Sequence, residues 1–426
     1  MFEKHPLRVV IVGGSITGLT LAHCLDKAGI DYVLLESHQD ILANLGASVA
    51  LQPAGCRILD QLGIFDRIQK CSHDLNTFEL ALPGNFKMGY PLTAITRRDL
   101  LHALYTSLED RSKVKTGARA IEITPNSSLE PHGPLKVTTE SGEWYMGDVV
   151  VGADGTHGIV RNAMWRTAET SNQNPKTGLG EDTRSMKVDY CAIVGMTRPA
   201  EEIAQTLPLG PLYMRSHPQC VFMVAPNPDS TIAWFAIIKT NHTYIHPDVP
   251  RWSKEDVVAK LEHLGDYAIR QHVTFRDLWE RTASISSTAC HEGLLQTWSS
   301  GRITLHDRNT AISTILSTYY VPLRSRLEFI CNYSYRGSRR QSLETLGSRF
   351  ILRFTTPLLG RISYYLNLFF METAVTLDYL PRPLRDRRAA GRRERDMRKA
   401  KMVLYGISLA LLGLVLSALV YTIHRL

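Results

Sequence analysis

VVIVGGSITGLTLAHCLDKAGIDYVLLE, residues 9–36, carries the strongest structural signal in the chain. An apolar run from Val9 to Val12 enters a turn carrying Gly13, Gly14 and Gly18. Leu19, Leu21, Ala22 and Leu25 then recur at helical spacing, and a second apolar strand, Tyr32 to Leu35, ends on Glu36. Strand, tight turn, helix, and strand with a carboxylate at its tip form the crossover unit that holds an adenine dinucleotide. Gly13 lets the chain turn, and Gly18 lets the helix pack closely on the strand. The helix N-terminus offers unpaired N–H groups and a positive dipole end to a pyrophosphate. Ser15 stands where the G-x-G-x-x-G pattern has its middle glycine, and its small hydroxyl still permits a phosphate to approach. Glu36 is placed to accept the hydroxyl protons of an adenosine ribose and would repel a phosphate there, which favours FAD or NAD over NADP at this position.

The totals narrow the class further. A chain of 426 residues has room for two domains, and 44% hydrophobic with 21% charged residues is a globular composition. Seven scattered cysteines with no C-x-x-C pair point to reduced thiols, with neither a disulfide framework nor a zinc site. Residues 1–8 are polar, so no secretory signal is expected. The net charge of +8 is concentrated: residues 382–401 hold ten Arg or Lys against three acids, a local +7. That leaves no basic groove for a nucleic acid. Residues 403–422, VLYGISLALLGLVLSALVYT, carry no charge at all. Twenty residues at helical rise reach about 30 Å, the thickness of the hydrocarbon core. The pattern predicts a transmembrane helix over 402–423 and a basic juxtamembrane linker over 382–401. By the positive-inside tendency the body lies in the cytosol, on a single-pass anchor in the endoplasmic reticulum.

Between these ends, a helix is predicted from Pro53, with Ile58, Leu59 and Leu62 at helical spacing. Ala50 lies in the preceding small-residue stretch, which suits a chain passing a flat ring or a plain loop-to-helix join. Thr96 reads as the N-cap of a helix with Leu100, Leu101 and Leu104 on its buried stripe. Arg97 in that first turn opposes the helix dipole, so it is either solvated or held there by a phosphate or ring carbonyl. Residues 114–151 read as hairpin-like strands ending in the buried run Val149 to Val151, and Asp154 sits at the tip of the next turn. Asp154 is read as facing the nucleotide, with a plain turn aspartate as the alternative. The strands 220–226 and 231–240, joined by a turn at Asn227-Pro228-Asp229, begin a sheet over the substrate. Trp234, Phe235 and Tyr213 are candidates to line its cavity or to pack its core, and Tyr213 and Arg215 are the candidate catalytic groups.

Taken together, Gly13–Gly18 with Glu36, Arg97 before a Leu-Leu helix, and GDVVVGADGTHGIVR at 147–161 carry a family resemblance. The chain resembles the FAD-dependent monooxygenases of the p-hydroxybenzoate hydroxylase class, and within it the fungal epoxidases of indole-diterpene and meroterpenoid biosynthesis. The likeness is close over residues 7–166, looser over 189–302, and returns near 348–383. It implies an α/β fold: a Rossmann-like FAD-binding domain with an inserted β-sheet substrate domain. The implied division is 1–188 and 301–381 for the FAD domain and 189–300 for the substrate sheet. It implies FAD as cofactor, NADPH as co-substrate and a hydrophobic, prenylated small molecule as substrate. It assigns FAD contacts to Gly13, Gly14, Ser15, Gly18, Glu36, Ala50, Arg97, Asp154 and Asp307, with Asp154 serving both FAD and NADPH. Gly158 replaces the serine usual in that motif.

The larger departure follows Gly301. The family pattern G-R-x-x-L-x-G-D keeps Gly301, Arg302, Leu305 and Asp307 but has His306 for the glycine. Residues 308–341 contain one glycine, Gly337, and no Gly-x-Gly turn, so an altered reading frame, a splice choice or a decayed segment is expected there. Three functions follow: a flavin epoxidase, an aromatic hydroxylase of the same flavin class, or an inactive membrane-anchored remnant.

Overall fold

The computed structural model describes residues 6–42, 48–75, 77–78, 89–125, 133–170, 186–295, 298, 303, 310–345, 347, 368–399 and 402. Its organising element is a four-stranded parallel sheet. β1 (Arg8–Val12) pairs with β2 (Asp31–Leu35) on one side, Val10 opposite Val33, and with β11 (Val149–Gly152) on the other, Val10 opposite Val150. β7 (Val114–Lys115) lies beyond β2 and closes that edge, so the order is β11-β1-β2-β7.

Both faces of this sheet are covered, as a parallel sheet requires. Ile11 and Leu34 face α1 (Ile16–Ala28) and α4 (Arg97–Thr106), where they pack with Leu19, Ala22, Leu100 and Leu104. α2 (Pro53–Gln61) and α3 (Phe65–Gln69) extend the same core through Leu59 and Phe65. Val10, Val12, Val33 and Leu35 face the other way, onto α5 (Ile159–Thr170) and the antiparallel sheet of β8 (Ala120–Pro125), β9 (Leu135–Thr139) and β10 (Trp144–Gly147). The split follows from the period of two along a strand. Each fully buried Leu or Ile contributes about 1.5–3 kcal/mol.

The second large sheet has six strands. These are β12 (Lys187–Thr197), β13 (Pro211–His217), β14 (Cys220–Pro226), β15 (Ile232–Ile245) and β18 (Thr282–Glu292), with β5 (Thr77–Phe78) added in parallel at one edge. Their order is β18-β12-β15-β14-β13-β5. Residues from α6 (Glu201–Thr206), α7 (Lys254–Leu264) and α8 (Phe275–Trp279) cover one face of it, burying Phe222, Trp234 and Tyr213. The short pair β16 (Ala268–Arg270) and β17 (Val273–Thr274) joins α7 to α8. A small sheet of β3 (Ser48–Leu51), β6 (Thr93–Thr96) and β4 (His73–Asp74) reaches the opposite face, where Ala94 packs with Leu212, Met214 and Val221. β6 runs straight into α4, so the small sheet connects the two lobes.

Within the segment read as an altered frame, a splice choice or a decayed stretch, Thr310–Gln341 form one 32-residue helix, α9. Its last turns are held to the six-stranded sheet by Arg339, which donates to Glu292 at 3.1 Å and pairs with Asp189. The basic stretch read as a linker is helical over 384–399 and docked on the body. Arg393, 2% exposed, donates to the fully buried Asp386 at 2.8 Å and pairs with Glu372. Among the described residues no helix is long and apolar enough to cross a membrane. The span expected at 402–423 lies, apart from Met402, outside the described residues, as does Asp307.

Candidate cofactor site

Three backbone turns meet at the C-terminal ends of β1, β2 and β11, and glycine is what lets them meet. The Gly13 amide donates to the Leu35 carbonyl at 2.8 Å, and the Ala153 amide donates to the Val12 carbonyl at 2.7 Å. Gly13 has φ +108°, and a Cβ there would lie 2.4 Å from the Ala153 carbonyl oxygen. At Gly18 a Cβ would fall 1.9 Å from the Gly13 oxygen, and at Gly14 it would fall 2.8 Å from the Glu36 Cβ. No side chain fits at any of these three positions without moving backbone or the carboxylate behind it.

The turns enclose a cavity of about 480 Å³, lined among others by Gly13, Ser15, Glu36, Arg97, Asp154 and His157. Its volume is that of a small-molecule site. Glu36 is 9% exposed. Its Oε2 accepts from the Gly14 amide at 2.7 Å, and its Oε1 accepts from the His38 amide at 2.8 Å and the Ser37 hydroxyl at 3.1 Å. The His38 ring lies 2.7 Å from the same Oε1. Burial acts to raise the Glu36 pKa, but the hydrogen bonds from His38, Gly14 and Ser37 outweigh it and hold the group below the usual range. Glu36 is therefore an ionised acceptor. Oε1 is crowded by three partners, so Oε2 is the oxygen with capacity for a ribose hydroxyl.

Arg97 enters from α4. Thr96 caps that helix, its Oγ1 accepting from the Asp99 amide at 3.1 Å. The Arg97 guanidinium crosses to the start of α1, where Nη2 donates to the Ser15 Oγ at 2.7 Å. Ser15 occupies the N-cap position of α1 without capping it through its side chain. A fixed cation thus sits beside the positive end of a helix, an arrangement suited to a pyrophosphate.

Asp154 caps α5. Its Oδ2 accepts from the Val160 amide at 3.1 Å. Burial pushes the Asp154 carboxyl up, opposed by hydrogen bonds from the Val160, Asp154 and Ile159 amides and by Arg161. The departure at Gly158 has a direct cause here: a Cβ would lie 2.0 Å from the Asp154 Oδ1. Glycine is what allows the carboxylate to fold onto the helix end. Ala50, by contrast, is exposed on the small sheet, paired with Ala94, and is not among the residues lining this cavity.

A histidine cluster that no local pattern signals lies at the rim. His157, from the loop before α5, stacks on His246 with centroids 5.6 Å apart and meets His291 edge-on at 5.5 Å. His246 and His291 are 5.8 Å apart. Positions 157, 246 and 291 are too widely spaced in sequence for any motif to reveal them. Burial lowers the pKa of both His246 and His291, and the neighbouring His157 and Arg161 lower them further. The cluster ties the cofactor lobe to the six-stranded sheet.

Tyr213 and Arg215, the candidate catalytic groups, do not line this cavity. Tyr213 is fully buried on the helix-covered face of the sheet, its hydroxyl donating to the Pro208 carbonyl at 3.0 Å and accepting from Arg270 at 2.9 Å. Arg215, two residues on, shares that face. Trp234 is buried there as well, donating to the Thr282 hydroxyl at 2.9 Å. Strand parity decides the matter, and Phe235 takes the opposite face with Ile237 and Met223. Among the described residues no group of His, Cys, Asp or Glu is placed to hold a metal ion.

Comparison with known proteins agrees with this geometry. Residues 6–285 match the model of the FAD binding domain family, and the chain belongs to that family. It is 32% identical to the FAD-dependent monooxygenase paxM of Penicillium paxilli, over 83% of this chain and 80% of that protein. It is 37% identical to the FAD-dependent monooxygenase ctvC of Aspergillus terreus over 70% of this chain, and spans 63% of that protein's length. The fold is that of Klebsiella pneumoniae HpxO complexed with FAD and uric acid, with a TM-score of 0.63, 14% identity, and coverage of 89% of this chain and 98% of the other. The resemblance to fungal FAD-dependent monooxygenases read from the motifs therefore holds.

Proposed function

We propose that the chain is an FAD-dependent monooxygenase of fungal secondary metabolism that uses NADPH and epoxidises the prenyl chain of a terpenoid or meroterpenoid intermediate. The observation that carries the flavin reading is the convergence of Glu36, the Arg97–Ser15 pair and the α1 N-terminus on one cavity. FAD bound there would supply two-electron chemistry and the activation of O₂. Glu36 would hold the adenosine ribose, Arg97 and the first turn of α1 the pyrophosphate, and Asp154 would keep the second turn in place.

The prenyl reading draws on the face of the six-stranded sheet opposite α6, α7 and α8. Val194, Met223, Phe235 and Ile237 share that face and are partly exposed. Lys239, on the same face, is paired with Glu344 at 2.5 Å. Such a floor suits an uncharged hydrocarbon better than a phenolate, and oxygen transfer to an electron-rich alkene needs no protein base. The uncharged run at 403–422 would anchor the body to the membrane in which such a substrate dissolves.

The test is the flavin content of the purified protein and its NADPH oxidation with a geranylgeranylated indole and with 4-hydroxybenzoate. The proposal expects oxidation with the prenylated compound and a product heavier by one oxygen. Oxidation with the phenol alone supports the aromatic hydroxylase instead, and absence of bound flavin supports the inactive remnant.

A further inference from the structure

Three segments whose described side chains do not line the cofactor cavity are linked one to the next. α9 carries Phe329 and Tyr333 one turn apart, 43% and 45% exposed. The helical residues 368–372 bring two more rings against them. Phe370 lies 5.8 Å from Phe329 and 5.6 Å from Tyr333, and Phe369, 38% exposed, lies 5.7 Å from Phe329. Arg326 fastens the contact by donating to the Phe370 carbonyl at 3.2 Å. The same short helix pairs through Glu372 with Arg393, and so joins the docked helix 384–399.

That helix turns one ion pair inward and a row of cations outward. Arg393 and Asp386 are buried, whereas Arg387, Arg388, Arg392, Arg395 and Lys399 are exposed. Exposed aromatic rings beside a row of cations are the composition of surfaces that rest at a bilayer interface. The rings sit at the headgroup level and the cations face anionic lipid phosphates. The sequence supplies the reason for choosing a bilayer over a soluble partner, because the uncharged run 403–422 begins four residues after Lys399.

We infer that Phe329, Tyr333 and Phe369, together with the outer face of helix 384–399, form a docking surface for an anionic bilayer. This rests on the anchor reading above and extends it. The body is held against the membrane in one orientation, because the Arg393–Asp386 pair fixes the basic helix to it.

The full-length protein in lipid nanodiscs, with and without phosphatidylserine, tests this by photo-crosslinking. p-Benzoylphenylalanine replaces Phe329, Tyr333 or Phe369, and as a control Trp144, which is 58% exposed on the sheet covering the opposite side of the parallel sheet. Lipid adducts at the three positions at least tenfold above the Trp144 position, rising with phosphatidylserine, are expected. Equal adducts at all four positions, no adducts, or adducts to a second protein chain overturn the inference. Flotation of the same samples separates the two readings: a chain that floats without adducts defeats only the docking surface, and a chain that does not float defeats the anchor and the surface together. Reversing Arg387, Arg388 and Arg392 to Glu leaves the rings in place and is expected to abolish the phosphatidylserine dependence of the adducts.

Discussion

The Arg97 guanidinium donates to the Ser15 hydroxyl at 2.7 Å, joining the first turn of α4 to the first turn of α1 across 82 residues of sequence. A cation in a helical first turn works against the dipole of its own helix. Here it is directed at the N-terminus of another helix, where an anion would balance both.

Arg97→Ala should therefore lower FAD affinity by about ten- to a hundredfold, the loss of one charged hydrogen-bonding group at about 1.5–3 kcal/mol. Because the side chain lies at the rim and not in the core, the thermal midpoint of the apoprotein should move little. Flavin fluorescence quenching gives the first quantity and calorimetry the second.

Gly158→Ser should disturb the cap of α5, since the new Cβ competes for the space of the Asp154 carboxylate. Loss of a helix cap costs about 1 kcal/mol. The variant should unfold at lower urea than the parent with an unchanged slope, and Asp154→Ala should add little to Gly158→Ser, because both remove the same bond.

Tyr213→Phe should leave flavin content unchanged and turnover within about twofold. The hydroxyl is enclosed by Pro208 and Arg270, away from the cavity, so its removal is felt in stability, at about 1–3 kcal/mol for the partners left unsatisfied. Steady-state turnover and urea unfolding on the same preparation separate the two effects.

The histidine cluster should make the stability fall toward acid pH. His246 and His291 have folded pKa values below their unfolded ones, so the unfolded chain binds more protons as the pH falls through about 6.5. Stability is full above that value and declines below it. Asp248 opposes the shift at His246, and Arg161 and His157 reinforce it at both rings. Melting curves between pH 8 and 5.5 should show a falling midpoint, and His246→Asn with His291→Asn should flatten the fall.

How much of this was legible in sequence depends on how local each cause is. The β1–α1–β2 unit, the Thr96 cap and the α2 helix are set by apolar period, glycine and capping chemistry within a few residues, and those signals can be read directly. The face taken by Tyr213 was not legible, because alternation says only that neighbours differ, and not which side meets α7 and α8. The histidine cluster depends on three separate elements meeting in space. The docking of helix 384–399 was hidden by its charge: a run of arginines reads as solvated until Asp386 and Glu372 are seen to receive one of them.

The position of the dinucleotide rests on Glu36, so its removal is the sharpest test. FAD titrated into the apoprotein of Glu36→Ala should bind at least tenfold more weakly than to the parent, because the ionised carboxylate that accepts from the Gly14 amide, and that would meet the ribose, is gone. Unchanged FAD affinity in a folded Glu36→Ala protein would contradict the placement of the dinucleotide along β1, α1 and β2.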